Sequence, residues 1–269
     1  MRLTLFTANN PRHLALAERL AEVAETVHVV HEAVTVFPGM VDDFFRKTPV
    51  MQAYFERVVA AEREVFGRPR FLPANVRQLV MRTGDLSLAP LDLLEPALEA
   101  DVFIVFGASY IRPPLVDRLI AGRAVNIHMG LSPWYRGSSC NFWALYDGRP
   151  ELVGATIHRL SRGLDSGAML FHVRPPVEAV DPFVFGMKAV RAAQDGLVQA
   201  LKGGELLDLP TVPQDRSLEV RYTKNRDFND AAAGAWLARG LTPDGLLAQL
   251  QTATPPHLIA PPAVPPGGL

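Results

Sequence analysis

Short apolar runs with the pattern of buried strands recur along the first 160 residues of the chain. They are RLTLFTA (2–8), ETVHVVHE (25–32), VRQLVMR (76–82), DVFIVFGAS (101–109), AVNIH (124–128) and VGATIHRL (153–160). Runs that are apolar on both faces, as DVFIVFGAS is, are typical of strands in the middle of a parallel sheet. The pattern therefore predicts a sheet that is covered on both sides.

Segments with the apolar spacing of helices lie between and after these runs. They cover residues 11 to about 25, 52–67, 88–100, 113–122 and 181–204, and residues 226–251 indicate two further short helices. Residues 33–48 have no clear period, and we interpret this region as an excursion from the sheet. The alternation of strands and helices predicts an α/β fold with an open, doubly wound, mostly parallel sheet of the Rossmann-like type.

Changes in composition divide the chain into three parts. The strand and helix pattern extends over residues 1–213, which we expect to form one catalytic domain. Residues 214–254 follow as a short helical C-terminal extension. Residues 255–269 contain six prolines, so we predict an extended or disordered Pro-rich tail.

Composition narrows the classes of function. Hydrophobic residues make up 48% and charged residues 20% of the 269 residues, which supports a sizeable core. A net charge of −1 gives no basic footprint for nucleic acid, and no apolar run approaches the ~20 residues that span a bilayer, so we expect neither partner. The single cysteine excludes an internal disulfide and a Cys-cluster metal site, and the N-terminus lacks the apolar segment of a signal peptide, which favours the cytoplasm.

Polar side chains suited to acyl chemistry cluster between residues 126 and 172. Asn126 and His128 occupy positions i and i+2 of one predicted strand, so both side chains project from the same face. The GLDSG turn after the following strand can bring Asp165 back beside His128. An amide donor, an imidazole and a carboxylate at one point can stabilise a developing oxyanion, move a proton and fix the tautomer of the ring. We expect such a site to need no metal.

Four motifs in this region carry a specific resemblance. They are Asn-Ile-His at 126–128, Leu-Ser-Pro-Trp-Tyr-Arg-Gly at 131–137, Thr-Ile-His at 156–158 and Leu-Asp-Ser-Gly at 164–167. In this order, across roughly residues 75–175, the chain resembles the catalytic core of the folate-dependent formyltransferases, with small sugar or amine N-formyltransferases as the most similar members. The resemblance implies a Rossmann-like catalytic domain.

The resemblance also implies roles for individual residues. Asn126, His128 and Asp165 would be catalytic, with the Asn126 amide facing the formyl oxygen and Asp165 holding the imidazole and receiving the amine proton. The donor would be 10-formyltetrahydrofolate, bound near Phe106, Gly107, Gly163 and Leu164. The loop after Gly130 would border the acceptor pocket through Ser132, Pro133, Tyr135 and Arg136.

Several neighbouring residues have two open interpretations. His158 can hydrogen-bond the catalytic carboxylate or pack against the sheet, and Thr156, on the same face, shares these options as a supporting residue. Arg12 and His13, at the start of the first helix, can meet an anionic acceptor or only begin the helix. Cys140 has no base near it in the sequence and begins an apolar helix, so we expect it to be buried and not to act as a nucleophile.

These observations lead us to expect transfer of a formyl group to the primary amine of a small molecule, such as an amino sugar or a natural-product intermediate. The short region after the catalytic domain and the neutral charge balance disfavour methionyl-tRNA as the acceptor. A hydrolase that releases formate and a folate-binding module without turnover stay open as alternatives. A homodimer also stays open.

Overall fold

The computed structural model describes residues 1–35 and 48–262, and a seven-stranded sheet forms its centre. The strands are β1 (Arg2–Ala8), β2 (Thr26–Ala33), β3 (Val76–Arg82), β4 (Val102–Phe106), β5 (Val125–His128), β6 (Tyr135–Gly137), β7 (Ala155–Arg159), β8 (Met169–Val173) and β9 (Arg221–Thr223). The large sheet has the order β3-β2-β1-β4-β5-β7-β8, and β6 pairs with β9 separately. Strands β1 to β5 run parallel to one another, whereas β7 runs antiparallel to both of its neighbours, β5 and β8. The predicted open, mostly parallel α/β sheet is confirmed.

Helices cover both faces of this sheet. They are α1 (Pro11–Ala21), α2 (Pro49–Phe66), α3 (Glu95–Leu98), α4 (Leu115–Ala121), α5 (Cys140–Tyr146), α6 (Pro182–Lys202), α7 (Asp230–Arg239) and α8 (Pro243–Thr252). Ile104 of β4 packs in one core with Leu16 of α1 and Leu197 of α6, while the next residue, Val105, packs in another core with Leu119 of α4. This alternation along β4 produces a doubly wound sheet. Within the described ranges, no helix combines the length and apolar character needed to cross a membrane.

The order of the strands creates a crevice at the carboxyl ends of two central strands. From β1 the chain proceeds to β2 and β3 on one side, and then returns to β4 and β5 on the other side. The connections therefore diverge between β1 and β4, at their carboxyl ends. Open α/β sheets form ligand crevices at such a switch point.

One predicted helix is wrong. Residues 88–100 do not form a continuous helix: Leu86–Leu88 and Leu91–Leu94 are separate 3₁₀ turns, and only α3 is α-helical. Pro90 precedes the second turn, and Pro96 occupies the first turn of α3. Proline has no N–H to donate and is tolerated only at the start of a helix, so two prolines six residues apart divide the segment.

Two helix boundaries also differ from the expected ones. Helix α1 ends at Ala21 and not near residue 25, because the Glu25 N–H already donates to the Met1 carbonyl beside the sheet, at 2.9 Å. Helix α2 begins earlier than residue 52, because the Thr48 hydroxyl caps it by accepting the Met51 N–H at 3.2 Å. Most of the segment without a clear period, residues 36–47, lies outside the described residues.

The C-terminal region is attached to the sheet domain at several points. Strand β9 pairs with β6, and α7 and α8 are the two short helices predicted over residues 226–251. Further along, the backbone N–H of Ile259 donates to His172 Nδ1 at 3.0 Å, and the His172 N–H donates to the Ile259 carbonyl at 2.9 Å. The Pro-rich segment is therefore hydrogen-bonded to β8 through Ile259.

The β6–β9 contact predicts the effect of one glycine substitution. Gly137 has φ +86°, and a Cβ there would lie 1.9 Å from the Thr223 carbonyl oxygen, whereas Gly148 has φ +70° and open space around it. Gly148→Ala should lower the free energy of unfolding only by the strain of a left-handed backbone, about 1–2 kcal/mol. Gly137→Ala should lower the free energy of unfolding by at least twice as much, as measured by urea denaturation. Equal losses would contradict the close approach of the two strands.

Candidate active site

Three polar side chains meet at the carboxyl edge of the sheet. Asn126 and His128 belong to β5, and Asp165 lies in the turn between β7 and β8. His128 Nδ1 is 3.3 Å from Asp165 Oδ1, and Asn126 Nδ2 is 3.4 Å from the same oxygen. The side chains of His128 and Asp165 are only 6% and 13% exposed. The structure thus brings together the three residues that the sequence singled out.

His128 and Asp165 form a buried ion pair. Burial alone would lower the pKa of His128, but the negative charge of Asp165, with a further contribution from Cys140, raises this pKa well above its usual range. Burial alone would raise the pKa of Asp165, but the charge and hydrogen bond of His128 lower it far below its usual range. At neutral pH the pair is therefore an imidazolium and a carboxylate.

The Asp165 turn has an unusual backbone conformation that other residues support. Asp165 has φ +46°, in the left-handed region that costs a non-glycine residue about 1–2 kcal/mol. The Gln214 side chain donates to the carbonyl oxygens of Asp165 at 2.8 Å and of Gly167 at 2.9 Å. Gln214 has no recognisable signal in the sequence, because it lies in an irregular connection without periodicity.

His158 orients the amide of Asn126. Its Nδ1 is 2.8 Å from the Arg159 carbonyl oxygen, which assigns the ring proton to Nδ1 and leaves Nε2 as an acceptor. Asn126 Nδ2 donates to this Nε2 at 3.0 Å, while Nε2 is 3.8 Å from the Asp165 carboxylate. One amide N–H of Asn126 is thus fixed, and the other has only the longer contact with Asp165.

The opposite nitrogen of His128 contacts the protein interior. His128 Nε2 lies 3.3 Å from the Tyr135 carbonyl oxygen and 3.5 Å from Cys140 Sγ. Cys140 is buried, as expected, and although it has no base near it in the sequence, the fold places it beside the imidazole of His128, 12 residues away along the chain. The thiol also donates to the Gly137 carbonyl at 3.4 Å. These contacts fix the ring of His128 from behind.

A cavity of about 320 Å³ opens beside these residues. Asn126, His128, His158 and Asp165 contribute to its lining. The four residues expected around the donor line it as well: Phe106, Gly107, Gly163 and Leu164. The cavity lies at the switch point of the sheet, between the loops that follow β1, β4, β5 and β7.

Arg12 and His13, at the start of α1, also line the cavity. The Arg12 guanidinium pairs with the Glu62 carboxylate of α2 at 2.7 Å. His13 packs edge-on against Phe106, and burial lowers its pKa well below the usual range, so its ring is neutral. A Cβ at Gly107, which has φ +69°, would lie 2.6 Å from His13 Nε2. This side of the cavity therefore has a neutral ring and a charge-compensated arginine.

The loop after Gly130 does not border the cavity, and the expectation that it shapes the acceptor pocket is corrected for all four of its residues. Ser132 and Pro133 are buried, and the Ser132 carbonyl accepts a hydrogen bond from His172 Nε2 at 2.8 Å. Thr156 fastens the loop: its hydroxyl donates to the Gly130 carbonyl at 2.7 Å and accepts the Ser132 N–H at 2.8 Å. Thr156 thus supports this loop and makes no contact with the carboxylate.

Tyr135 and Arg136 point away from the cavity for a similar reason. The Tyr135 hydroxyl donates to Asp147 at 2.9 Å, and the Arg136 guanidinium pairs with Glu219 at 2.9 Å. Asp147 also accepts two hydrogen bonds from Arg221. Buried polar groups of this kind require partners, and these partners lie largely in the C-terminal extension. The loop therefore joins the extension to the catalytic domain.

Glu32 is a second functional candidate that the sequence analysis missed. Its buried carboxylate accepts the Ser109 N–H at 2.5 Å, the Ser109 hydroxyl at 2.8 Å and the Gly84 N–H at 2.7 Å. These contacts hold the loop after β4, which forms one wall of the cavity. An acidic residue at the carboxyl end of a buried parallel strand was the available signal.

The chemistry available at this site is that of hydrogen bonds and proton transfer. An amide N–H and an imidazolium can stabilise negative charge on an oxygen, and a neighbouring carboxylate can accept a proton. Among the described residues, no group of three or more His, Cys, Asp or Glu is arranged to hold a metal ion. The geometry fits the polarisation of a carbonyl group and its attack by a neutral nucleophile.

The family model and the relative that match this chain are both formyltransferases. A family model described as formyl transferase matches residues 75–201, the region that carries every residue of the triad. A methionyl-tRNA formyltransferase from Synechococcus sp. (strain JA-3-3Ab) is 34% identical over 189 residues, which is 64% of this chain and 58% of that protein. The chain thus spans somewhat more than half the length of this relative.

Solved structures share the fold at low sequence identity. A 4-N formyltransferase from Francisella tularensis superposes with a TM-score of 0.52 at 16% identity and covers 84% of this chain and 77% of its own. An N-formyltransferase from Helicobacter canadensis, in complex with folinic acid and dTDP-3-aminofucose, has a TM-score of 0.51 at 13% identity and covers 85% and 72%. These similarities extend the shared fold beyond the region that the family model matches.

The ion pair predicts an unusual titration of His128. In the wild-type protein its imidazole should stay protonated at pH 7, because Asp165 raises its pKa. In Asp165→Asn the charge of the carboxylate, the main cause of the increase, is absent, so burial lowers the pKa of His128 towards or below ~6.5. Nuclear magnetic resonance titration of the histidine rings measures both values. His172, whose pKa burial lowers, is the internal control and should not change.

The same shifts give the pH dependence of stability. The raised pKa of His128 stabilises the fold fully below pH ~6.5, and this stabilisation is lost as the pH rises through the pKa of His128 in the folded state. The lowered pKa of Asp165 stabilises the fold above pH ~3.9, and this stabilisation is lost as the pH falls through the pKa of Asp165 in the folded state. Wild type should exceed Asp165→Asn in unfolding free energy most clearly between about pH 4 and 6.5. An ordinary titration of His128 in both proteins would contradict the ion pair.

Proposed function

The chain belongs to the folate-dependent formyltransferase superfamily, and from this premise we propose that it transfers a formyl group from 10-formyltetrahydrofolate to the primary amine of a small molecule. The observation that carries the proposal is the convergence of Asn126, His128 and Asp165 on one cavity at the switch point of the sheet. An amino sugar or a natural-product intermediate is the class of acceptor that we favour.

The residues around the cavity suit the ring end of a reduced folate. Its volume, about 320 Å³, is at the lower end of the range of ligand pockets, so the pteridine would enter and the glutamate tail would stay outside. Phe106 and Leu164 offer apolar surface, and the backbone at Gly107 and Gly163 offers polar groups without a side chain in the way. A folate bound here would have its formyl group next to Asn126.

The proposed mechanism distributes three tasks among the residues. When bound, 10-formyltetrahydrofolate supplies the carbonyl carbon: the amine nitrogen bonds to it while its bond to N10 breaks, and one proton passes from the amine to N10, which gives a formamide and tetrahydrofolate. The second N–H of Asn126 donates to the carbonyl oxygen as it gains negative charge, and the positive charge of the His128 imidazolium stabilises that oxygen electrostatically. One such donor typically lowers a barrier by about 2.7–4 kcal/mol. Asp165 keeps His128 charged and receives the amine proton.

The surroundings of the site support a small acceptor. The side of the cavity where an amine can approach is formed by Arg12 and His13, and Arg12 is already paired with Glu62. The similar Helicobacter canadensis enzyme contains an amino sugar nucleotide beside folinic acid, which makes a small amine a reasonable acceptor for this fold. Methionyl-tRNA is the second candidate, favoured by the activity of the Synechococcus relative.

The function predicts a selective loss in one variant. Asp165→Asn is nearly isosteric, so it should keep tetrahydrofolate affinity, while formyl transfer should fall by ~10²–10⁴-fold because general base assistance and the charge on His128 are both lost. Tetrahydrofolate release and formamide formation, followed together with a panel of amines and with methionyl-tRNA, measure the effect. Asp208→Asn, at an exposed carboxylate whose side chain is 81% accessible, is the matched control and should retain full activity.

Three outcomes would contradict parts of this proposal. Full transfer activity in Asp165→Asn would refute the proposed role of Asp165. Formate release at one rate, with or without each acceptor, would indicate a hydrolase. Folate binding without release of tetrahydrofolate under any condition would indicate a binding module.

A further inference from the structure

A second cavity, of about 200 Å³, adjoins the catalytic one. It lies between α2, α5, α6 and α7, and four aromatic side chains contribute to its wall: Tyr54, Phe142, Phe183 and Trp236. The two cavities share Met129, which directly follows His128, and Arg12. A ligand in the second cavity would therefore extend towards the catalytic imidazole past Met129.

The rings of this wall are arranged edge to face. The centroid of Tyr54 is 5.1 Å from that of Phe183 and 5.7 Å from that of Phe142, and Phe142 is 6.1 Å from Trp236. These four side chains present both ring edges and ring faces to a ligand in the cavity. Aromatic groups pack on one another in these orientations, beyond what their buried area alone contributes.

Charge is nearly absent from this cavity. Among the described residues that line it, Arg12 is the only charged one, and its guanidinium is bound to Glu62 at 2.7 Å. The amide oxygen of Asn141 is also committed, because it accepts the Gly154 N–H at 3.0 Å. A diphosphate or a sugar with several hydroxyl groups would lose its hydration here and find few polar groups in exchange, which is costly.

The size of the cavity suits one ring. An engineered apolar cavity of about 150 Å³ in another protein holds benzene, so about 200 Å³ admits a single aromatic ring with a short attachment. We propose that the acceptor of formyl transfer is a primary amine on a short chain that ends in one aromatic ring, with the ring in the second cavity and the amine beside His128. This inference rests on the proposed formyl transfer and narrows its two acceptor classes to one, an aromatic natural-product amine and not an amino sugar.

Gly186 of α6 offers a way to close the cavity. It contributes to the lining, and a Cβ at this position would meet no atom within 4 Å. A larger side chain would thus enter the cavity without displacing the helix, and leucine favours a helix more than glycine does. Gly234 of α7 is the matched control, since it lines neither cavity and a Cβ there would make an ordinary contact of 3.7 Å with Val50.

The test combines binding with turnover. Calorimetric titration of 2-phenylethylamine into the protein saturated with tetrahydrofolate should show binding that Gly186→Leu weakens by roughly 10- to 100-fold, the effect of burying one phenyl group. In formyl transfer, wild type should use 2-phenylethylamine with a kcat/KM at least about 10-fold above that of ethanolamine or of a nucleotide-linked amino sugar. Gly186→Leu should remove this preference by raising the KM for 2-phenylethylamine. The kinetics with ethanolamine and the affinity for tetrahydrofolate should not change. The KM of Gly186→Ala for 2-phenylethylamine should lie between those of wild type and Gly186→Leu.

Each result decides one of the two claims. Absence of 2-phenylethylamine binding, an equal effect of Gly186→Leu and Gly234→Ala, or a preference of wild type for the amino sugar would overturn the ring-binding proposal. Binding that depends on Gly186 without formamide from any amine would leave the aromatic site standing and refute formyl transfer. A Gly186→Leu protein that still binds tetrahydrofolate shows that its loss of amine binding is local.

Discussion

The ion pair between His128 and Asp165 is the interaction on which the rest of the site depends. Taking either charge out of water costs several kcal/mol, and removing one partner of such a pair typically costs 3–5 kcal/mol because the other charge stays buried alone. The carboxylate is held by a left-handed turn that Gln214 supports, and the imidazole by the carbonyl of Tyr135. Asn126, which His158 orients, also contacts the same carboxylate. Strands β5 and β7 and the C-terminal extension therefore converge on one salt bridge.

The fold gives this pair two different neighbours. On one side lies a cavity lined by polar backbone and by the loops that follow β1, β4 and β7, and beyond Met129 lies an aromatic cavity with almost no charge. Arg12 and Met129 form the boundary between them. If a folate occupies the first and the acceptor's ring the second, the reacting groups meet beside His128. The arrangement would place the two substrates by shape and polarity, and the ion pair would supply the chemistry.

The sequence predicted those parts of the molecule that depend on local spacing. The parallel strands follow from apolar runs, and Asn126 and His128 share a face because they are two residues apart in a strand. Predictions about the neighbouring loop failed, because the partners are distant in sequence: Arg136 pairs with Glu219, 83 residues away. The contact of Cys140 with the imidazole was missed for the same reason, since a helix and not a strand delivers it. Local pattern cannot reveal which polar group satisfies another across the fold.

The most direct test of the account follows the transferred carbon itself. The protein would be mixed in a single turnover with 10-formyltetrahydrofolate labelled with ¹³C in the formyl group and with a primary amine acceptor, and carbon resonances would be recorded alongside tetrahydrofolate release. The account predicts that the label appears in a formamide, one for each tetrahydrofolate released. Label found in formate at the same rate without the amine, or label that stays on the folate, would contradict it.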